Sequence, residues 1–229
     1  MFGNHCDSCD YKTMQTIIKM LLGYLMWILS KLYPYSLSER LRGRLDCIYT
    51  MWLRNFIGHV GRSSTISMPC SLQGGGQKNI RIGDYTNIQK CSVLGCWIEY
   101  GKQHFSPPIT IGNHCNIGEY NHITSCNKIT IGDGLLTGRF VYIGDNSHGG
   151  LSWEEAAIPP ARRALKSKGE IKIGNNVWIG DKVTILGGVT IGDNVIIGAN
   201  SVVTHNVPSN CVAVGNPAKI IKRLCQNQD

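Results

Sequence analysis

Seven histidines and ten cysteines are the residues of this chain best suited to proton transfer or nucleophilic chemistry near neutral pH. The histidines separate by their surroundings. His5 and His59 lie outside the repetitive part of the sequence, His104 falls in a segment that interrupts it, and His114, His122 and His205 fall within it, where a solvent-facing turn is the ordinary position. His148, in NSHGG, follows the phased Ile143 and begins the longest interruption. A histidine so placed leaves a regular scaffold for an open loop, where an imidazole suits taking a proton from a bound hydroxyl near neutral pH. On these residues alone an ordinary loop histidine competes with that reading.

The cysteines offer less. Cys6-x-x-Cys9 has the spacing of half a zinc site, with His5 as a third ligand, but no second CxxC completes it. A terminal tail is the better reading, and no metal is expected. The opening residues MFGNHCDSCDYK lack the basic and apolar regions of a secretory signal. The expectation is therefore a cytoplasmic protein with buried, reduced thiols.

Any such site must be positioned by the elements around it. With 229 residues, 42% of them hydrophobic, the chain can build one sizeable domain and an appendage. Aromatics are only 8% while glycine numbers 27, which points to tight repeated turns rather than a core of large rings. The formal charge of +8 suits a phosphate-bearing ligand or anionic lipid. The basic residues form no run or aromatic-interleaved patch, so nucleic acid is not an expected partner.

Residues 14–57 read as helical. The apolar stretch from Ile17 to Leu29, broken by Lys19, is shorter than the roughly 20 residues that span a bilayer. With Lys12, Lys19, Lys31, Arg40, Arg42 and Arg44 beside it, this segment could rest on anionic lipid as a peripheral membrane contact. A cap packed on the main domain or on a partner subunit is the favoured reading.

From about residue 60 a six-residue period appears. Ile173, Ile179, Ile185, Ile191, Ile197 and Val203 recur every six residues, and Val177, Val183, Val189, Val195 and Ser201 follow the first five at i+4. Ile111, Ile117, Ile123 and Ile129 repeat the phase, and Ile82, Ile88 and Leu94 repeat it more weakly. This period is wrong for an α-helix and for a hairpin meander. It fits one short strand and one tight turn per six residues, with each aliphatic pointing inward and Gly, Asn or Asp accepting the turns. The segments 74–79, 99–108 and 148–168 break the phase and should be loops extruded from the coil, where function tends to sit.

The stretches ITIGDGLLTGRFVYIGDNSHGG (129–150), IGNNVWIGDKVTILGGVTIGDNVIIGANSVVTHNVP (173–208) and VGNPAKIIK (214–222) together resemble the hexapeptide-repeat acyltransferases. The resemblance is to the galactoside and maltose O-acetyltransferase branch, and residues 158–180 resemble members that acetylate polysaccharide precursors. It covers about residues 80–224. It implies an all-β fold, a left-handed parallel β-helix, with an N-terminal α-helical appendage and a short C-terminal helix. The expected divisions are a helical cap over 1–60, the coil over 61–212 and a closing segment over 213–229.

The resemblance further implies a homotrimer with sites between subunits, acetyl-CoA as co-substrate and a sugar or glycan acceptor. His148 falls on the family's catalytic base. Trp178, Asp181, Ala199, Thr204, His205, Lys219 and Lys222 fall on donor-side positions, although Asp181 and His205 stand where serine and lysine are common. For the acceptor, Asp145, Asn146, Glu119 and Asn121 are the candidates. The galactoside enzymes' own acceptor pair is not matched, since Gly118 and Cys126 occupy those places. A thioester is already activated, so the task left to the protein is to deprotonate the attacking sugar hydroxyl and to stabilise an oxyanion, plausibly with a backbone N–H. Lys219 and Lys222 would share a face if the closing segment turned helical after Pro217, and could meet CoA phosphates. A carboxylate or carbonyl should orient the other ring nitrogen of His148, and Asp145 is close in sequence. Sugar-nucleotide N-acetylation is the chief alternative, ahead of a γ-class carbonic anhydrase, for which His114 and His122 lack the spacing, and of a non-catalytic trimer.

Overall fold

The computed structural model describes residues 7–150 and 152–224, with side chains from residue 11. Cys6 and His5 of the half zinc motif lie outside the described residues. The described residues fall into two compact units, divided between Leu45 and Asp46.

The first unit holds helix α1 (Asp7–Leu32) and the start of α2 (Tyr35–Leu53). Straight-chain Leu, Met, Lys and Gln favour helix throughout, so α1 runs past both ends of the apolar Ile17–Leu29 stretch. This corrects the reading that the segment is too short: Tyr11–Leu32, 22 residues with mean hydropathy 1.2, is long and apolar enough to cross a membrane by length and composition. None of that window is buried.

The second unit begins within α2. Thr50, Leu53 and Ile57 are buried, and the Thr50 hydroxyl receives the Ile66 N–H at 2.8 Å. The end of α2 and the turn after it therefore belong with the coil. Behind them, short strands wind into three sheets of six, eight and six strands, parallel except for the last strand of the eight. Each turn of the coil contributes one strand to each sheet, as Ile171–Ile173, Trp178–Ile179 and Thr184–Leu186 do. Side chains in register form ladders: Val60, Ile82, Ile111, Ile131, Ile173 and Ile191 in one sheet, and Leu72, Leu94, Ile123, Ile143, Ile185 and Val203 in another. The six phased aliphatics from Ile173 to Val203 and their five i+4 partners are all buried, as the period requires.

The corners are held by polar side chains. Along one edge the side-chain oxygens of Asp84, Asn113, Asp133, Asn175, Asp193 and Ser209 each accept the backbone N–H of the residue stacked on the preceding coil. Asn176, Asn194 and Asn210 take the left-handed conformation there, at φ of 54°, 54° and 62°. Tyr85 and Phe140 adopt it too, and each stacks on a neighbouring ring, His114 at 5.0 Å and Tyr120 at 4.9 Å between centroids.

The closing segment is not a helix. Lys219–Arg223 is a strand, antiparallel to Cys211–Val214 at the end of the eight-stranded sheet. The unpaired edge of Cys211–Val214 offers a ladder of hydrogen bonds that a short helix could not replace, and Ile220 and Ile221 favour the extended form. A bulge restores what the helix would have done: Lys219 faces Val214 and Lys222 faces Val212, so the two lysines share a face.

Candidate functional site

Each phase-breaking segment leaves the same sheet, the one containing Ser92–Cys96, His122–Ser125 and Tyr142–Gly144. The segment 74–79 makes a short 3-10 turn, Gln77–Asn79; of the two longer segments, the first forms a hairpin, Glu99–Tyr100 against Gln103–His104. The second pairs Asn146–His148 with Leu165–Ser167, placing His148 opposite Leu165. Gln103 ties the two together, receiving the Leu165 N–H at 2.7 Å and donating to the Leu165 carbonyl at 3.0 Å. His148 thus sits on paired backbone rather than on a free loop.

Between these segments lies a cavity of about 230 Å³ lined by Gln73, Trp97, Tyr100, His122, Tyr142 and His148, with Thr124, Asn146 and Leu165 completing the wall. Glycine makes room for it. A Cβ on Gly144 would come within 2.2 Å of the Tyr142 hydroxyl, so the ring can fold over the strand only because residue 144 has no side chain. Trp97 donates its indole N–H to the Thr124 hydroxyl at 3.1 Å. Burial pushes the pKa of His122 down and holds its ring neutral, edge-on to Tyr142. Burial, and then the charge of Asp145, raises the Tyr142 phenol.

The imidazole of His148 is oriented by Tyr100, whose hydroxyl lies 3.1 Å from Nδ1 and donates to the Ala161 carbonyl at 2.6 Å. A carbonyl only accepts, and a phenol carries one hydrogen. With that hydrogen given to Ala161, the Tyr100 oxygen accepts from His148, the proton sits on Nδ1, and Nε2 keeps its lone pair. Such a ring can act as a base.

The structure distributes the other sequence candidates unevenly. Asn146 lines the cavity with His148. Asp145 does not orient His148: it is buried and faces the turn 125–128, accepting from the Ser125 hydroxyl and from the N–H groups of Cys126, Asn127 and Lys128. Asn121 is likewise consumed, donating to Thr137 and Gly138 and accepting from Val141. Glu119 lies between Lys90 and Arg139, at 3.5 Å from each.

On the donor side, Trp178 is 52% exposed and stacks in register with Leu136 and Ile196, an outward apolar ladder. Asp181 accepts the Arg139 N–H at 2.7 Å and so serves a corner. Ala199 is exposed beside that corner, and Thr204 bonds to His205 at 2.8 Å just past the end strand of the sheet from which the His148 segment departs. None of these residues, nor Lys219 or Lys222, lines the His148 cavity within one chain.

Sequence reasoning missed Tyr100, Trp97 and Tyr142. The interruption at 99–108 was the available signal for Tyr100; its pairing with a residue 48 positions away was not visible. Cys96 and Cys126 are buried, with thiols raised to about 11, mainly by burial, which removes them as nucleophiles. Among the described residues no group of three or more His, Cys, Asp or Glu could hold a metal ion, and His114 is engaged with Tyr85.

Residues 170–205 match the family described as bacterial transferase hexapeptide (six repeats). Over 119 residues the chain is 40% identical to WbbJ of Escherichia coli K12, named as an O-acetyl transferase of lipopolysaccharide biosynthesis; the match takes in 50% of this chain and 60% of that relative. A hexapeptide-repeat-containing acetyltransferase from Vibrio cholerae superposes with a TM-score of 0.52 at 28% identity, over 83% of this chain and 90% of the other. AntD of Bacillus cereus, an N-acyltransferase in complex with dTDP and 3-hydroxybutyryl-CoA, superposes with a TM-score of 0.60 at 22% identity, over 76% and 87%, and shares the fold. The chain carries the hexapeptide repeat of the bacterial transferase family.

Proposed function

We propose that this protein is an acetyl-CoA-dependent O-acetyltransferase acting on a hydroxyl of a sugar or polysaccharide precursor, with His148 as general base. The observation that carries the proposal is the Ala161–Tyr100–His148 hydrogen-bond chain, which leaves Nε2 unprotonated beside a cavity. His148 takes the proton of the acceptor hydroxyl as its oxygen attacks the thioester carbon. When the C–S bond breaks, the same imidazole returns the proton to the departing sulfur, giving an acetyl ester and free CoA thiol. No covalent enzyme intermediate is needed, in keeping with the raised thiols of Cys96 and Cys126.

The coil is taken as left-handed and the active assembly as a homotrimer. Separation of the His148 cavity from Trp178, Ala199, Thr204, Lys219 and Lys222 within one chain supports a site completed by a neighbouring subunit. These residues suit the donor: an apolar ladder at Trp178 for the pantetheine arm and a lysine pair for phosphates.

The test is thiol release from acetyl-CoA in the presence of free sugars, sugar nucleotides and lipid-linked glycans. Acceptor-dependent release with an alkali-labile acetyl product is expected. An amide product, or CoA binding without transfer to any acceptor, would overturn the assignment.

A further inference from the structure

An acceptor whose hydroxyl reaches His148 must also be held by the rest of its structure. Next to the His148 cavity, and sharing Tyr100 as a wall, is a second and wider cleft of about 640 Å³ between the same two extruded segments. Lys102 from the hairpin and Arg162 and Arg163 from the longer segment line it, and no carboxylate does.

Two carboxylates of these segments are engaged elsewhere. Glu99 faces His104 at 3.8 Å, while Glu155 is held first by Lys166 and the Gly150 N–H and feels the charge of Arg163 only as its smallest influence. Lys102 and Arg162 form no ion pair among the described residues. Arg163 gives its Nε–H to the Ile158 carbonyl at 2.8 Å, which fixes the side chain and leaves the two terminal nitrogens for a ligand. Its methylenes lie against Gly149, the residue after His148: a Cβ there would fall 2.7 Å from Cδ of Arg163. The positive charge is thus anchored next to the base.

Resting on the acetyl-transfer reading, we infer that this cleft binds the diphosphate of a glycosyl-diphosphate acceptor while the sugar reaches His148 past Tyr100. Two guanidinium groups and an ammonium around one cleft match a diphosphate, which carries at least two charges and offers oxygen pairs to each arginine fork. A carboxylate-bearing sugar would use only one of the three. The donor's phosphates have a separate candidate in Lys219 and Lys222, on the closing strand. Sugar nucleotides and polyprenyl diphosphate sugars share the proposed chemistry.

The experiment is calorimetric titration of the full chain in detergent, presaturated with CoA, using inorganic pyrophosphate, UDP-glucose and farnesyl diphosphate. Pyrophosphate should bind, more weakly as salt rises. The K102E/R162E double variant should weaken it at least tenfold while leaving CoA affinity within about twofold, which also confirms that the variant is folded. Tighter binding of UDP-glucose than of pyrophosphate assigns a nucleotide source, and tighter binding of farnesyl diphosphate a lipid source; either supports the inference. Absence of pyrophosphate binding, its competition with CoA, or full binding by the variant overturns it. Acetyl transfer is read separately by thiol release, so loss of that activity with pyrophosphate binding intact would count against the enzymatic reading and not against the cleft.

Discussion

The Tyr100 hydroxyl lies 3.1 Å from Nδ1 of His148 and spends its own hydrogen on the Ala161 carbonyl, so two loops that leave different turns of the coil fix one tautomer. Tyr100→Phe removes the acceptor and frees the imidazole to take either tautomer. Acetyl transfer should fall by about one order of magnitude in kcat, roughly 1.4 kcal/mol, with CoA affinity unchanged. The pH–rate profile should shift as well, a change that loosened packing alone would not produce. Wild-type kcat with an unaltered profile would refute the positioning role.

His148→Ala should lower kcat by about 10²–10⁴. CoA binding and the assembly state should persist, because His148 is exposed on a paired strand and fills no core. A folded, CoA-binding variant retaining more than about a tenth of wild-type activity would defeat the assignment; His122, in the same cavity, is then the next candidate.

Lys219→Glu with Lys222→Glu should raise KM for acetyl-CoA more than it changes kcat, most clearly at low salt. Both side chains are exposed on a terminal strand, so the fold should tolerate the change. Steady-state kinetics at two ionic strengths would decide it, with an unchanged KM as the failing outcome.

Asp145→Ala should act on stability first. It strips a buried acceptor from the Ser125 hydroxyl and from three backbone N–H groups. A loss of roughly 2–4 kcal/mol is expected, measured by denaturant unfolding. A neutral result would mean that the turn 125–128 finds other partners.

The depressed pKa of His122 makes stability depend on pH. Below the ordinary histidine value of about 6.5 the unfolded chain binds a proton that the folded chain resists. Stability should therefore fall as pH drops through that value and level off below the folded pKa. His122→Gln should flatten the melting temperature between about pH 7 and pH 5.5, and an unchanged slope would place the effect on another group.

The coil was legible because its period is enforced at every rung: a polar residue at Ile185 or Ile191 would be buried among aliphatics. The place of His148, after a phased stretch and at the start of an extruded segment, was legible, while its assignment as base came from the family resemblance. The role of Tyr100 was not, since it depends on two loops meeting across 48 residues. Asp145 misled because nearness in sequence to His148 says nothing about direction, and the N–H groups of the turn 126–128 drew its carboxylate inward. The closing segment misled because helical spacing of Lys219 and Lys222 ignored the open sheet edge beside it.

Val93, His122 and Tyr142 are lateral partners on successive rungs; the loop with Tyr100 departs after the first rung and the loop with His148 after the third. Neighbouring strands stand about 4.8 Å apart. One coil added or lost between those departures would carry the phenol and the imidazole a full step apart or together, well beyond what a hydrogen bond tolerates. The scaffold therefore works as a ruler graduated in whole rungs. Loop lengths at the site can drift gradually, whereas the number of coils between the two loops cannot change without dissolving the pairing of Tyr100 with His148.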